Sequence, residues 1–494
     1  MRITLTRLAT LVSAAAACPA LTRPAPAQAR ASALAPDTSW VARCAIYEVN
    51  VRDFSPGGDL KGVTAGLGRI EAAGANVIWL MPIYPVGVLN RKGPLGSPYA
   101  VRDYDAINPA FGTAADLHAL VDAAHGRGMK VILDWVPDHT SWDNVWVTEH
   151  PDFYVRTDSN RLTVPRDPQG HPTDWTDVVQ LDYANPAMRS AMIAALRHWL
   201  VDFDLDGFRM DVAHYIPPDF WREANADLRA AIPRPILLLA EAGELEWHRV
   251  GFDLTYAWDS YARLKAVWKG AAADSFVRAE VAELRDMPPG GMRLRFTTNH
   301  DETAWDNPPV TLFGGSAGAR AAFVAMALLP GRPLLYDGQE VESPQKLGLF
   351  EREAVAWNQP HAAAALAFYR RVVELTRRDP AFTAEDLREI HTTVPADVIA
   401  YRRGDAAVLV NARPRGVRFA VAGFDVEGAR DLLSGSVQRG DTVSLAAYGA
   451  IVLERGARVS PSTPPSARAP GRQILRSNRT ASEPARAAGA SARP

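Results

Sequence analysis

The feature that most constrains this chain is a series of acids placed at the ends of short apolar runs and at near-constant intervals. Asp211 and Glu241 lie 30 residues apart, and Asp301 follows after a further 60. One strand-plus-helix unit takes about 30 residues, so the intervals read as one unit and then two. Short runs rich in aliphatic residues at 45–49, 77–80, 131–134, 207–211, 236–241, 253–256, 294–298 and 333–336 predict strands. Longer stretches with helical periodicity fall between them, as at 114–127, 186–203, 261–269 and 317–329. Eight strands alternating with helices predict an α/β fold, a parallel (β/α)8 (TIM) barrel over 43–380. A closed barrel brings the C-terminal ends of its strands to one face, so acids spaced in this way are expected to meet there.

Two departures from the repeat define further units. Asp134 and Asp211 are 77 residues apart, far more than one unit, which predicts an inserted subdomain at 140–182 after strand 3. Its Trp142, Trp146, Tyr154 and Trp175 suit either packing of a small subdomain or stacking on a ligand. Beyond residue 379 the helical pattern stops. Runs at 393–402, 406–411, 418–421 and 446–454, broken by Gly, Asp and Pro, predict a C-terminal antiparallel β-sandwich over 385–455.

The two ends differ from the body. Arg2 and Arg7, a short apolar run at 8–18 and Ala27-Gln28-Ala29 predict a signal peptide over 1–29, hence a secreted or periplasmic protein. Anchoring as a lipoprotein through Cys18 is the alternative. The run is too short to cross a bilayer, so no transmembrane segment is expected. Residues 457–494 are poor in apolar side chains and rich in Pro, Ser, Ala and Arg, which predicts a disordered tail. The formal net charge of −2 conceals a separation: residues 1–29 carry three Arg and no acid, residues 457–494 seven Arg and one Glu, leaving −11 for the body. So acidic a body argues against a nucleic-acid partner. Two cysteines, Cys18 and Cys44, exclude a disulfide framework and lack metal-ligand spacing. Oligomeric state has no signature in the sequence.

Four segments carry chemistry: DWVPDH (134–139), GFRMD (207–211), LLLAE (237–241) and TTNHD (297–301). In order and strand placement they resemble the conserved regions of the α-amylase superfamily, glycoside hydrolase family 13. YEVNVRDFSPGG (47–58), GSPYAVRDY (96–104) and LLYDGQE (334–340) are similar to further segments of that family. The resemblance spans roughly residues 43–455. It implies that Asp211 is the nucleophile, Glu241 the general acid/base and Asp301 the transition-state stabiliser. It further implies substrate-binding roles for Tyr99, His139, Arg209, His300, Asp134 and His214. Tyr99 would stack on the reacting sugar, His139 and His300 would hydrogen-bond it, Arg209 would keep the nucleophile ionised, and Asp134 would support the site from below.

Elementary chemistry is consistent with these roles. Retaining glycoside hydrolysis needs an ionised carboxylate as nucleophile and a protonated carboxyl as donor. Arg209 lies two residues before Asp211, so on a strand both point to one face, and a guanidinium lowers a neighbouring carboxylate's pKa. Glu241 follows an apolar run, and a drier setting favours its protonated form. Taken singly, each acid is also what a helix N-cap or a loop would carry; the joint spacing with Arg209 and His139 is what argues for a site.

Some positions depart from the family's patterns. His214 and Tyr215 stand where many starch α-amylases have Lys-His, which argues against an ordinary endo-amylase. Val212, after the nucleophile, points weakly away from strict α-1,4 cleavage. Ala100 follows Tyr99 where glucosidase-like members have Asp, which argues against strict exo-glucosidase action. Asp138 stands where many members have a calcium-binding Asn, making it a candidate metal ligand, with the carbonyl of Tyr215 a further one by analogy; Ca2+ is a candidate ion, although the chemistry requires no cofactor. The expectation is a retaining hydrolase of α-glucosidic bonds acting on short α-glucans or maltooligosaccharides. A transglycosylase (glucanotransferase or trehalose-forming) is the alternative, and an inactive carbohydrate-binding homologue a remote one.

Overall fold

The computed structural model describes residues 39–455. The signal peptide over 1–29, Cys18 and the tail over 457–494 lie outside the described residues. Ten strands precede the C-terminal region: β1 (Ile46–Val49), β2 (Val77–Leu80), β3 (Lys130–Trp135), β4 (His139–Ser141), β5 (Val178–Gln180), β6 (Gly207–Met210), β7 (Leu237–Ala240), β8 (Leu254–Tyr256), β9 (Met292–Arg295) and β10 (Arg332–Tyr336). Eight close into a parallel barrel in the order β1-β10-β9-β8-β7-β6-β3-β2. Their side chains are almost all buried, as runs covered by helices on one face and by the barrel interior on the other must be.

Strand register positions the chemistry. Asp134 on β3 is paired with Arg209 on β6, and Arg209 with Leu239 on β7. Asp134 and Arg209 therefore stand at one level of the barrel. Close approach of β6 to β7 depends on Gly207, whose φ is 148°. A Cβ there would lie 1.9 Å from the carbonyl oxygen of Leu237, so only glycine fits.

The insertion begins as an antiparallel ribbon, β4 with β5, in which His139 is opposite Gln180. Trp146 is buried within it, whereas Trp142 donates to the carbonyl of Thr176 at 3.0 Å. After the barrel's last helix, Ala362–Arg378, come β11 (Arg388–Glu389), β12 (His391–Thr392), β13 (Val398–Arg403), β14 (Ala406–Asn411), β15 (Val417–Ala422), β16 (Arg430–Asp431), β17 (Thr442–Leu445) and β18 (Ala450–Glu454). They form sheets ordered β11-β13-β14-β18-β16 and β12-β15-β17. Tyr401 and Arg403 tie this unit to the barrel by donating to the carbonyls of Ala325 and Leu328 at 3.0 and 2.7 Å.

Three predicted strands are shifted. The run at 294–298 contributes only its start, because Asn299 caps the next helix by accepting from Glu302 N at 2.8 Å and turns the chain out of the ladder. The run at 393–402 starts at Val398, after a turn closed by Asp397 N to Val394 O at 3.0 Å. The run at 446–454 starts at Ala450, after Tyr448 adopts φ 53°. Replacing Gly207 by Ala is expected to destabilise the barrel by about 2 kcal/mol or more through backbone collision; chemical denaturation of the variant against the parent checks this.

Candidate active site

A cavity of about 240 Å³ opens at the C-terminal ends of the barrel strands. Asp211, Glu241 and Asp301 all line it, together with Tyr99, His139 and His300. Arg209, fully buried beneath it, organises the floor. One of its terminal nitrogens, Nη1, donates to Asp134 Oδ1 and to Asp211 Oδ1, both at 2.8 Å. Nη2 lies 2.9 Å from Glu241 Oε2, off the N–H direction, so this contact is an ion pair and not a formed hydrogen bond. Nε donates to Tyr256 Oη at 3.1 Å.

The remaining groups continue the network. Asp134 Oδ2 accepts from Trp79 Nε1 at 3.1 Å and from Tyr99 Oη at 3.0 Å. Tyr99 Oη is 2.8 Å from His300 Nε2, which also lies 3.2 Å from Asp301 Oδ2. His300 Nδ1 makes a short contact with Glu48 Oε1. Burial opposes a charge on His300, but Asp301 and Glu48 outweigh it and hold its pKa well above the ordinary value. As an imidazolium it donates from both nitrogens, which leaves Tyr99 to donate to Asp134. Burial would likewise push Asp301 up, yet the cation of His300, aided by Arg209, keeps it below the usual carboxylate range. For His139, burial is outweighed by the Asp138 carboxylate, 3.2 Å from its Nδ1, so its pKa is raised.

Asp211 departs from the sequence-based expectation. Arg209 does pull its pKa down, but burial, reinforced by Glu241 and Asp134, pushes it up to about 7. The same desolvation pushes Asp134 up to about 6. Asp134 and Asp211 share one guanidinium nitrogen and cannot both ionise cheaply in a dry site.

Other expectations change too. Arg209 and Asp134 are fully buried and do not line the cavity, so they act through Asp211, Glu241 and Tyr99 and not on a ligand directly. His214 also lies outside the lining: on the turn Ala213–Tyr215 its Nδ1 points to the carbonyl of Glu241 at 3.1 Å. The turn follows from Val212, a β-branched residue held at φ 37°, whose N–H donates to Glu241 Oε2 at 2.7 Å. Of the insertion's tryptophans only Trp175 reaches the cavity, stacked on Tyr215 with ring centroids 5.6 Å apart. Asp138 is buried against His139, and among the described residues no three His, Cys, Asp or Glu side chains group as metal ligands.

Sequence reasoning missed Glu48, Lys92, Asp177, Trp305, Leu349 and Phe350. Glu48 was signalled by an acid inside the apolar run of β1, and Trp305 by its place one helical turn after Asp301. Lys92 and Phe350 lie in loops without a recognisable pattern.

A family model for the catalytic domain of alpha-amylase matches residues 36–241. An alpha-amylase from Lactobacillus plantarum superposes with a TM-score of 0.75 at 30% identity, covering 85% of this chain and 100% of that one. The chain belongs to the α-amylase family. Among curated relatives, alpha-amylase MalA of Haloarcula japonica is 30% identical over 394 residues, 75% of this chain and 55% of that protein. Trehalose synthase/amylase TreS of Mycolicibacterium smegmatis is 35% identical over 218 residues, 38% of this chain and 35% of that protein. The chain thus spans about half or less of the length of these relatives.

The raised pKa of Asp211 sets a pH dependence. Below about 7 this carboxyl is mostly neutral, so any activity that needs it ionised is expected to fall on an acidic limb near pH 7 rather than near 4. Because its folded value lies above the unfolded one, ionising Asp211 costs stability as pH rises through that interval. Asp211→Asn escapes the cost and should melt no lower than the parent at pH 8 while losing activity. Calorimetry and a pH–rate profile read both.

Proposed function

We propose that this member of the α-amylase family is a retaining hydrolase of α-glucosidic bonds in short α-glucans or maltooligosaccharides. The observation that carries the reading is the attachment of Asp211 and Glu241 to two nitrogens of one guanidinium. That tether favours the closer of the two carboxylate spacings used by glycosidases, the one that leaves no room for an intervening water and suits a covalent intermediate. Asp211 attacks C1 with its free oxygen while Glu241 protonates the departing glycosidic oxygen. Glu241 Oε2 is engaged by Val212 N–H and Arg209, so the donor is Oε1. Asp301, kept ionised by the His300 cation, lies where positive charge develops on the sugar ring. Tyr99, half-buried and stacked on His300 at 5.4 Å, offers a ring face to the apolar side of a pyranose. Water activated by Glu241 then opens the glycosyl–Asp211 ester with net retention.

The match to TreS supports a second reading, in which an acceptor sugar replaces water in the last step. The catalytic residues are shared by the two readings, and a product profile on maltotriose separates them: shorter sugars alone mean hydrolysis, and longer oligomers or a rearranged disaccharide mean transfer.

Asp211→Asn is expected to lower kcat by about 1000-fold or more, and the initial product of the parent to be the α anomer by NMR. A β anomer would falsify retention. Glu241→Gln should lose natural substrates yet still release fluoride from an α-maltosyl fluoride, whose leaving group needs no proton. Loss of both activities alike would remove Glu241 from the acid role.

A further inference from the structure

The loop 85–98, which follows β2, crosses the mouth of the barrel and is fastened on both sides. Towards the insertion, Val88 N donates to the Asp143 carboxylate at 3.1 Å. Lys92 Nζ bonds the carbonyl of Asp174 at 3.2 Å and pairs with Asp177 Oδ1 at 3.2 Å. Towards the loop after β10, Leu95 N donates to the carbonyl of Phe350 at 3.0 Å. Arg52 Nη1 ties the two loops together by donating to Gly96 O and Leu349 O at 3.1 and 2.8 Å. The seam is tight: a Cβ on Gly93, which has φ 62°, would lie 2.5 Å from Phe350 Cβ. Lys92, Asp177, Leu349 and Phe350 all line the catalytic cavity.

The placement of this seam relative to the acid/base decides what it closes. Glu241 follows β7, and β7 lies across the barrel from β1, whose neighbours β2 and β10 carry the two fastened loops. A sugar attacked at C1 by Asp211 sends its leaving group towards Glu241, so its non-reducing side points the other way, into the closed wall.

We propose that the Lys92–Asp177 pair is a specificity-determining latch that makes this site a blind pocket for the non-reducing end of an α-glucan chain. The inference rests on the glycosidase reading above. It also answers the doubt raised by Ala100, because the end wall comes from a different pair of residues. The side chain of Asp177 is 5% exposed and that of Lys92 33%, and both face the cavity, so an ammonium and a carboxylate meet the hydroxyls of the terminal sugar. At about 240 Å³ the cavity lies below the roughly 300–1,000 Å³ that drug-sized ligands occupy, which fits a short occupant.

The test compares two maltoheptaosides of equal length, one with a free non-reducing end and one capped there by a benzylidene group, with the shortened products quantified by chromatography. The parent is expected to prefer the free end by about 100-fold or more in kcat/KM. Lys92→Met and Asp177→Asn should each narrow that preference at least about tenfold, and Lys92→Arg, which keeps the pair, should retain it. Equal cleavage of both substrates by the parent overturns the blind pocket. Undiminished preference in Lys92→Met and Asp177→Asn, with parental melting curves, overturns the latch. Cleavage of neither substrate by the parent overturns the glycosidase reading itself, and the latch with it.

Discussion

The site depends on one buried cation. Arg209 has no solvent contact, and a guanidinium in that position is tolerable only because carboxylates surround it. Burial works against its charge, but Asp134 and Glu241 overcome this and keep it a permanent cation. The dependence runs in both directions. Without Arg209, three acids would crowd a dry cavity with no counter-charge. Without Asp134, the guanidinium would lose the partner that fixes its plane. The barrel register that pairs β3 with β6 is therefore as much a part of the chemistry as the acids themselves.

A second cation repeats the device on the other side. His300 bridges Glu48 on β1, Asp301 on the helix after β9, and Tyr99 in the loop after β2. From Glu48 to Asp211 the groups alternate in sign or pass a hydrogen bond through a hydroxyl: Glu48, His300, Tyr99, Asp134, Arg209, Asp211. Such a chain holds each member in one orientation. It also accounts for the different protonation of similar acids. Asp301, beside an imidazolium and open to the cavity, stays ionised, whereas Asp211 shares one guanidinium with two other carboxylates and holds its proton more tightly.

What could be read in the sequence was what local pattern encodes. Strands such as Val77–Leu80 and Ala406–Asn411 were bounded correctly because apolar runs there end at turn-forming residues. Strand ends were misplaced where a side chain outcompeted the ladder, as when Asn299 capped a helix. The catalytic acids were legible because a repeating unit places them at repeating intervals. Partnerships across the fold were not: Glu48 and His300 are 252 residues apart, and nothing local to either names the other. The pKa of Asp211 was misjudged for the same reason. Its arginine lies two residues away, but the burial and the two further carboxylates that outweigh that arginine arrive only with the closed barrel.

The turn at Val212 has a consequence for how such a site can change. A β-branched residue at φ 37° carries backbone strain of about 1–3 kcal/mol, and the N–H it presents is what anchors Glu241. Stability and activity are thus coupled with opposite sign at a single residue. A glycine there would relax the backbone and make the protein sturdier, yet it would loosen the anchor of the acid. Selection for heat resistance alone would drift towards that glycine, and selection for turnover would drift back. Position 212 is therefore a place where thermal adaptation and catalytic rate trade against each other, at a residue that itself lines the cavity.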